Sequence, residues 1–182
     1  DSGDRAPCLI HGVTGSGKTE VYMALIDHVL QQGKQVIVLI PEIALTYQTL
    51  LRFYQRFGDR VSVMNSTLSP GEKYDQCERA KAGEIDVIIG PRSALFTPFP
   101  NLGLIVMDEE QENSYKSEST PKYHARETAI ARAQMCGARV VLGSATPSVE
   151  SYDRAKQGQY RLFEMKERVS ARPLPSVYTV DL

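Results

Sequence analysis

The chain has 182 residues, of which 42% are hydrophobic and 24% charged, with a formal net charge of −1. This length suits one domain with a sizeable core. Since no long apolar run or secretory start is present, we expect a cytoplasmic protein without a membrane partner. The near-zero net charge does not indicate nucleic acid, so any DNA site must be a local patch.

Apolar β-branched runs alternate with helix-favouring stretches almost to the end of the chain. The predicted strands are residues 8–11, 36–40, 61–64, 85–89, 102–107, 139–142 and 160–164. The predicted helices are residues 18–32, 44–57, 70–82, 123–136 and 148–156. Strands that are apolar throughout should be buried on both faces. We therefore predict an α/β domain with a mainly parallel sheet and helices on both faces.

Helix ends carry recognisable signals. Ser69, Pro70 and Glu72 form the pattern of a capping box with proline at the first helical position. Glycines that favour a left-handed cap follow the predicted helix ends, at Gly33, Gly58, Gly83, Gly137 and Gly158. The three cysteines, Cys8, Cys77 and Cys136, lie far apart without C-x-x-C pairing. This spacing argues against a zinc site or a disulfide framework, and we expect buried free thiols.

A phosphate-binding loop with the pattern G-x-x-x-x-G-K-[ST] lies between the first predicted strand and the first predicted helix. It comprises Gly12, Val13, Thr14, Gly15, Ser16, Gly17, Lys18 and Thr19. The glycines let the backbone wrap so that its N–H groups hold the α- and β-phosphates at a helix N-terminus. Lys18 would reach the β- and γ-phosphates, and the Thr19 hydroxyl would ligate Mg²⁺. The strand–loop–helix context predicts that the chain binds a nucleoside triphosphate.

Acidic residues follow the predicted strand 102–107. Ligands collect at the carboxyl ends of strands in an open parallel sheet, where the phosphate-binding loop also lies. We expect Asp108 to hold Mg²⁺, directly or through water. Glu109 would orient and polarise the water that attacks the γ-phosphate. Glu110 is expected to face solvent.

A run of small residues, 143–147, follows the predicted strand 139–142. The hydroxyls of Ser144 and Thr146 could hydrogen-bond the acidic segment and report the state of the phosphate. Thr146 could also be the N-cap of the next helix, ahead of Pro147. The two interpretations are compatible.

Five segments in this order, GVTGSGKTE, IPEIALT, GPRSALF, MDEEQ and GSATPS, resemble those of superfamily-2 helicases and DNA translocases. The chain is most similar to the first RecA-like motor domain of the bacterial replication-restart helicases, over nearly all of residues 7–182. The specific part is the combination of GVTGSGKTEVY, PEIALT and a DEE segment followed by SYK and YHAR. Other branches of the superfamily do not combine these segments.

The resemblance implies a RecA-like ATP-binding helicase domain at residues 7–165, after a disordered or linker start at 1–6. Residues 166–182 would be a linker and the first strand leading to a second RecA-like domain. ATP and Mg²⁺ are the implied cofactors, and single-stranded and forked DNA, single-strand-binding protein and primosome proteins are the implied partners. The implied activity is ATP-driven 3′→5′ unwinding in replication restart. A nucleotide-gated DNA- or protein-binding module and another superfamily-2 translocase remain alternatives.

The resemblance also implies which residues meet DNA. Pro41, Glu42, Ala44 and Thr46 belong to one segment that faces the single strand, and Arg92 and Ser93 to a second. Arg92 is the expected phosphate contact.

Residues 111–126 correspond to an aromatic-rich loop that couples DNA binding to hydrolysis in that family. The residues that this loop contributes here are Tyr115, Lys116, Lys122, Tyr123, His124 and Arg126. Tyrosines interleaved with basic residues suit base stacking and phosphate attraction. We therefore expect Tyr115 and Lys116 to bind DNA and couple it to hydrolysis, whereas Tyr123 could either bind DNA or begin the next helix and pack in its core. Gln111 stands where the family usually has histidine, and its amide can still donate and accept. We therefore place Gln111 with Lys18 and Glu109 in the catalytic set and with Ser144 and Thr146 in the coupling set.

Overall fold

The computed structural model describes residues 5–169, which alternate between seven strands and five α-helices. The strands are β1 (Cys8–Gly12), β2 (Gln35–Leu39), β3 (Val61–Val63), β4 (Val87–Gly90), β5 (Leu102–Met107), β6 (Arg139–Ser144) and β7 (Arg161–Met165). The helices are α1 (Lys18–Gln31), α2 (Tyr47–Phe57), α3 (Pro70–Lys81), α4 (Ala125–Cys136) and α5 (Val149–Lys156). In this part of the chain no helix is long and apolar enough to cross a membrane.

The strands form one sheet in the order β3-β4-β2-β5-β6-β1-β7, and every pair of neighbours is parallel. Side chains of one strand therefore alternate between two cores. Val36 and Val38 of β2 pack in a core with residues of α1 and α2. Ile37 and Leu39 point the other way, into a core with residues of α3, α4 and α5. The predicted α/β class, with a parallel sheet covered on both faces, is confirmed.

Helix α2 begins three residues later than predicted, at Tyr47. The Ala44 N–H donates to the Pro41 carbonyl, which closes a 3₁₀ turn over Glu42–Ala44. The Thr46 hydroxyl then accepts from the Thr49 N–H and caps α2. The 3₁₀ turn and the Thr46 cap therefore determine where α2 begins, and the spacing of apolar residues, which predicted a start at residue 44, does not.

Helix α5 shows that the N-cap predicted at Thr146 is wrong. The Ser148 hydroxyl accepts from the Ser151 N–H and starts the helix at Val149. The Thr146 N–H instead donates to the Ser144 hydroxyl at 2.9 Å. Thr146 therefore belongs to the turn that follows β6.

The capping box at α3 and the positive φ values expected of the glycines after the helices are both observed. The Ser69 and Glu72 side chains each accept from the other residue's backbone N–H, so the capping box is confirmed. The five glycines after the helices all have positive φ, between 62° and 76°. The expectation of buried thiols is wrong at Cys136, which is exposed, while Cys8 and Cys77 are half-buried.

Candidate nucleotide site and its connections

The phosphate-binding loop turns sharply between β1 and α1. Gly15 and Gly17 have φ values of 80° and 88°, which a residue with a Cβ adopts only with strain. A Cβ on Gly12 would lie 2.6 Å from the Ser16 hydroxyl oxygen. Glycine is therefore required at these positions for the loop to close this tightly.

The loop offers donors that suit an anion. The Lys18 ammonium lies over the loop and donates to the Gly12 carbonyl at 2.8 Å. The Ser16 hydroxyl oxygen is buried and has no hydrogen-bond partner among the described residues. An unpartnered buried hydroxyl, a lysine and a helix N-terminus together fit a bound phosphate.

The carboxylate expected to serve Mg²⁺ lies beside this loop. Asp108 follows β5, and its Oδ1 accepts from the Tyr22 hydroxyl of α1 at 3.0 Å. Burial raises the pKa of the Asp108 carboxyl above its usual value, while the hydrogen bond from Tyr22 acts in the opposite direction. Burial also raises the pKa of Tyr22, so its hydroxyl remains a neutral donor.

The phosphate-binding loop and the acidic residues after β5, which the sequence predicts to form one site, line the same cleft of about 480 Å³. Its lining includes residues 14–19 of the loop together with Asp108 and Glu109. One carboxylate and one hydroxyl, from Asp108 and Thr19, fit a Mg²⁺ ion that takes its other ligands from phosphates and water. Arg52 of α2 also lines the cleft and was not predicted. Nothing in the local pattern around Arg52 distinguishes it from an ordinary exposed helix residue.

A chain of hydrogen bonds connects the acidic segment to the turn after β6. Gln111 Nε2 donates to Glu109 Oε2 at 2.9 Å, and Ser144 Oγ donates to Gln111 Oε1 at 2.6 Å. The Thr146 N–H completes the chain at the Ser144 hydroxyl. Glu109 itself has a positive φ of 48°, which is rare for a residue with a side chain. The structure thus brings Glu109, Gln111, Ser144 and Thr146 together.

The prediction that Glu110 faces solvent is wrong, because its side chain is 1% exposed. Glu110 Oε2 pairs with Arg126 Nη1 at 3.1 Å and accepts from the Ser151 hydroxyl at 2.8 Å. Glu110 Oε1 accepts from the Ser148 N–H at 2.7 Å. Arg126 is also buried, so neither side chain is available to DNA. This ion pair joins the acidic segment to the first turns of α4 and α5.

Within the loop at 111–126, the prediction that Tyr115 stacks on a base is also wrong. Its ring is 1% exposed, and its hydroxyl donates to the Asp108 carbonyl at 2.7 Å. A ring in the core cannot stack on a base, so Tyr115 is not a base-stacking residue in this structure. Lys116 and Lys122 are exposed. Tyr123 precedes α4 instead of beginning it. It is half-buried, and its ring packs edge-to-face on Phe96 with 5.4 Å between the ring centroids.

The two segments expected to face DNA follow β2 and β4, which are neighbours in the sheet. Pro41 is buried, Thr46 is exposed as the cap of α2, and Ser93 is exposed. The Glu42 carboxylate accepts from the Ser66 hydroxyl and, at 3.0 Å, from the Ser66 N–H, and these two hydrogen bonds lower the pKa of Glu42. Arg92 donates to two carbonyls of the aromatic-rich loop.

A parallel sheet of this order, with a phosphate-binding loop after β1 and acids after β5, defines a RecA-like P-loop domain. The sequence model of the DEAD/DEAH box helicase family matches residues 3–155, and the chain belongs to that family. Membership implies nucleotide binding. Solved helicase structures share the fold, at TM-scores of 0.64 for RecG bound to a three-way DNA junction and 0.61 for the Pyrococcus furiosus Hef helicase domain. The RecG sequence is 24% identical, and the match covers 94% of this chain and 22% of RecG. The Hef sequence is 23% identical, and the match covers 89% of this chain and 36% of the Hef domain.

Closer relatives are replication restart proteins. Replication restart protein PriA of Bacillus subtilis is 53% identical over 182 residues, which are all of this chain and 23% of that protein. Replication restart protein PriA of Synechocystis sp. is 50% identical over 179 residues, 96% of this chain and 22% of that protein. The similarity to replication-restart helicases is thus confirmed. The chain spans about a quarter of the length of these relatives.

Proposed function

We propose that this chain is the ATP-binding motor domain of a 3′→5′ DNA helicase that acts in replication restart. The observation that carries the proposal is the single cleft in which Lys18, Thr19, Asp108 and Glu109 meet. The relatives' name supports the restart role. Single-stranded and forked DNA, single-strand-binding protein and primosome proteins are the proposed partners, in the cytoplasm.

Different residues of the cleft have different roles in the transfer of the γ-phosphate to water. The backbone of the loop and Lys18 bind the phosphates, while Thr19 and Asp108 would hold Mg²⁺. Bound Mg²⁺ neutralises charge on the phosphate oxygens. Glu109 orients the attacking water and accepts its proton, and Gln111 fixes the Glu109 carboxylate through the 2.9 Å hydrogen bond.

Turnover should need a second RecA-like domain that supplies an arginine finger. Such a finger contributes roughly 10³–10⁵ in rate. We therefore expect the 182-residue chain alone to bind ATP and Mg²⁺ and to hydrolyse ATP slowly. Residues 7–165 form the proposed motor domain, after a disordered or linker start at 1–6, and residues 166–182 are the proposed linker and first strand leading to the second RecA-like domain. Residues 1–4 and 170–182 lie outside the described residues.

Two substitutions in the full-length protein test the proposal. Lys18→Ala should abolish ATP-driven unwinding of a forked duplex, and retained unwinding would refute the role of the cleft. Glu109→Gln should preserve ATP binding and block hydrolysis and unwinding. If Glu109→Gln still supported replication restart, the chain would be a nucleotide-gated binding module. An unwinding assay with defined strand polarity separates the proposed direction from that of another translocase.

A further inference from the structure

The segment that follows β7 runs along the phosphate-binding loop. At the end of β7 the Met165 carbonyl accepts from the Val13 N–H at 3.2 Å. Further along, the Val169 N–H donates to the Gly15 carbonyl at 3.0 Å. Both contacts are made by backbone atoms, so they do not depend on the side chains of the segment. Residues 165–169 therefore lie beside the loop and are fixed to it at both ends.

The side chain of Val169 lies in the nucleotide cleft. A Cβ on Gly17 would be 3.0 Å from the Val169 Cγ2, so the valine packs directly on the loop. Its side chain is nevertheless 81% exposed. Within residues 5–169, the other residues that line the cleft are glycines or carry polar or charged side chains. Val169 therefore provides the apolar surface of a cleft that is otherwise polar.

The order of the strands gives the direction in which a nucleotide lies in this cleft. Asp108 and Glu109 follow β5, the phosphate-binding loop follows β1, and Val169 follows β7. Because β6 and β1 separate β5 from β7, these groups lie in that order along the edge of the sheet. Under the proposed function the terminal phosphate lies at the acidic end, where Glu109 orients the attacking water. The base, at the opposite end of the nucleotide, then lies toward Val169.

We propose that Val169 forms a wall of the cleft against which the nucleobase packs. The ring of a base is flat, and its contact with a hydrocarbon side chain removes apolar surface of both from water. Ligand pockets commonly combine such a surface with a few polar groups that fix the orientation of the ligand. Since the valine side chain has no hydrogen-bonding group, it holds a base without distinguishing one base from another by hydrogen bonds. This inference rests on the proposed function, because it assumes that the phosphates occupy the loop.

The test compares two ligands that share a triphosphate chain and differ in the nucleoside. They are the β,γ-imido analogue of ATP, which resists hydrolysis, and inorganic tripolyphosphate. Each is titrated with Mg²⁺ into the full-length protein by calorimetry. Val169→Ser removes the hydrocarbon surface and keeps the backbone N–H that contacts Gly15. We expect it to weaken binding of the ATP analogue about fivefold and to leave binding of tripolyphosphate unchanged.

Three further variants are controls. Val169→Leu keeps a hydrocarbon side chain and should bind both ligands as the unaltered protein does. Val149→Ser changes a valine of similar exposure, 82%, at the start of α5 and outside the lining of this cleft, and should also bind both ligands normally. Lys18→Ala should weaken both ligands, because the ammonium group contacts the phosphates that they share.

Three results would overturn the inference. Equal weakening of both ligands by Val169→Ser would mean that the valine only maintains the shape of the loop. Unchanged binding of both ligands would mean that the base lies elsewhere. A loss of analogue binding in Val169→Leu as large as that in Val169→Ser would mean that the base does not depend on a hydrocarbon surface. If the unaltered protein bound neither ligand, or Lys18→Ala bound both normally, the proposed function would fail, and the inference would fall with it.

Discussion

Ser144 Oγ donates a 2.6 Å hydrogen bond to Gln111 Oε1 and so joins the turn after β6 to the acidic segment after β5. The bond orients the Gln111 amide, whose nitrogen then donates to Glu109. Ser144 is itself fully buried. The direction of the Glu109 carboxylate therefore depends on a hydroxyl from a neighbouring strand.

Ser144→Ala should slow DNA-stimulated ATP hydrolysis by the full-length protein about tenfold, because a misdirected general base loses alignment with its water. The KM for ATP should change little, since the described hydrogen bonds of the Ser144 hydroxyl go to Gln111 and to the Thr146 N–H. Ser62→Ala is the control, because Ser62 is a buried serine of β3 that hydrogen-bonds Gln76 far from the cleft. Equal kcat values for the two variants would contradict the role of Ser144.

Gly143 of β6 lies directly beside Tyr22 of α1. A Cβ on Gly143 would overlap the Tyr22 hydroxyl and lie 2.7 Å from the Tyr22 Cζ. Gly143→Ala should therefore lower the free energy of unfolding by roughly 1–3 kcal/mol, the usual cost of overpacking. It should also weaken ATP binding, because Tyr22 would be pushed away from Asp108.

Gly71→Ala is the matched control for Gly143→Ala. Gly71 lies in the first turn of α3, and its added Cβ would have no neighbour closer than 4.0 Å. Because alanine is the better helix former, this variant should be stabilised by up to about 1 kcal/mol. Urea unfolding followed by circular dichroism measures both effects. A Gly143→Ala variant as stable as the unaltered chain would contradict the packing described for Tyr22.

Removal of one partner of the buried Glu110–Arg126 pair should destabilise the domain strongly. Glu110→Ala removes the buried carboxylate at Arg126 Nη1 and leaves the guanidinium paired only with the half-exposed Glu127. Breaking a buried pair typically costs about 3–5 kcal/mol, and the remaining Glu127 pair should keep the loss near the lower end of that range. Glu78→Ala removes an exposed pair with Lys81 and should cost less than about 1 kcal/mol. Chemical denaturation of the two variants makes the comparison, and similar losses would show that Glu110 is solvated.

His124 should make the stability of the domain depend on pH. Its Nδ1 accepts from the Arg126 N–H and caps α4, which requires the unprotonated nitrogen. Burial, and then the Arg126 charge, hold the pKa of His124 below its ordinary value of 6.5. Between the folded pKa and 6.5 the unfolded chain binds more protons than the native state, so stability falls as the pH is lowered through this window.

The His124→Asn variant isolates that effect, because asparagine caps a helix well and does not titrate. Melting temperatures measured from pH 8 to pH 5 should fall less steeply in the variant than in the unaltered chain. Identical pH profiles would show that His124 does not contribute through its neutral form.

The fold and the arrangement of the candidate nucleotide site were predictable because they depend on local patterns. The loop from Gly12 to Thr19 is continuous in sequence, and Asp108 follows an apolar strand whose end must lie at the same sheet edge. The partners of Glu110 could not be found in this way. They come from residues 16 to 41 positions further along the chain, so an acid after a strand looks the same whether it is solvated or paired.

The prediction that Tyr115 meets DNA was wrong for a related reason. Alternating aromatic and basic residues are typical of a nucleic-acid surface, but a 3₁₀ turn at Asn113–Tyr115 directs this ring into the core. Arg92, 22 residues earlier in the chain, donates to the Ser114 carbonyl within this turn, and that contact has no signal in the local sequence.

The N-cap of α5 was wrongly predicted at Thr146 because Thr146 and Ser148, on either side of Pro147, both suit a cap. The Thr146 N–H instead donates to the Ser144 hydroxyl, and Ser148 caps the helix.

The most direct test of the central claim is calorimetric titration of the 182-residue chain with ATP in the presence of Mg²⁺. Lys18→Ala is the test variant, and Lys81→Ala is the control for loss of a lysine. The nucleotide cleft predicts saturable binding by the unaltered chain and by Lys81→Ala, and at least about tenfold weaker binding by Lys18→Ala. Equal affinity of all three proteins, or no binding by the unaltered chain, would contradict the assignment of this cleft to ATP.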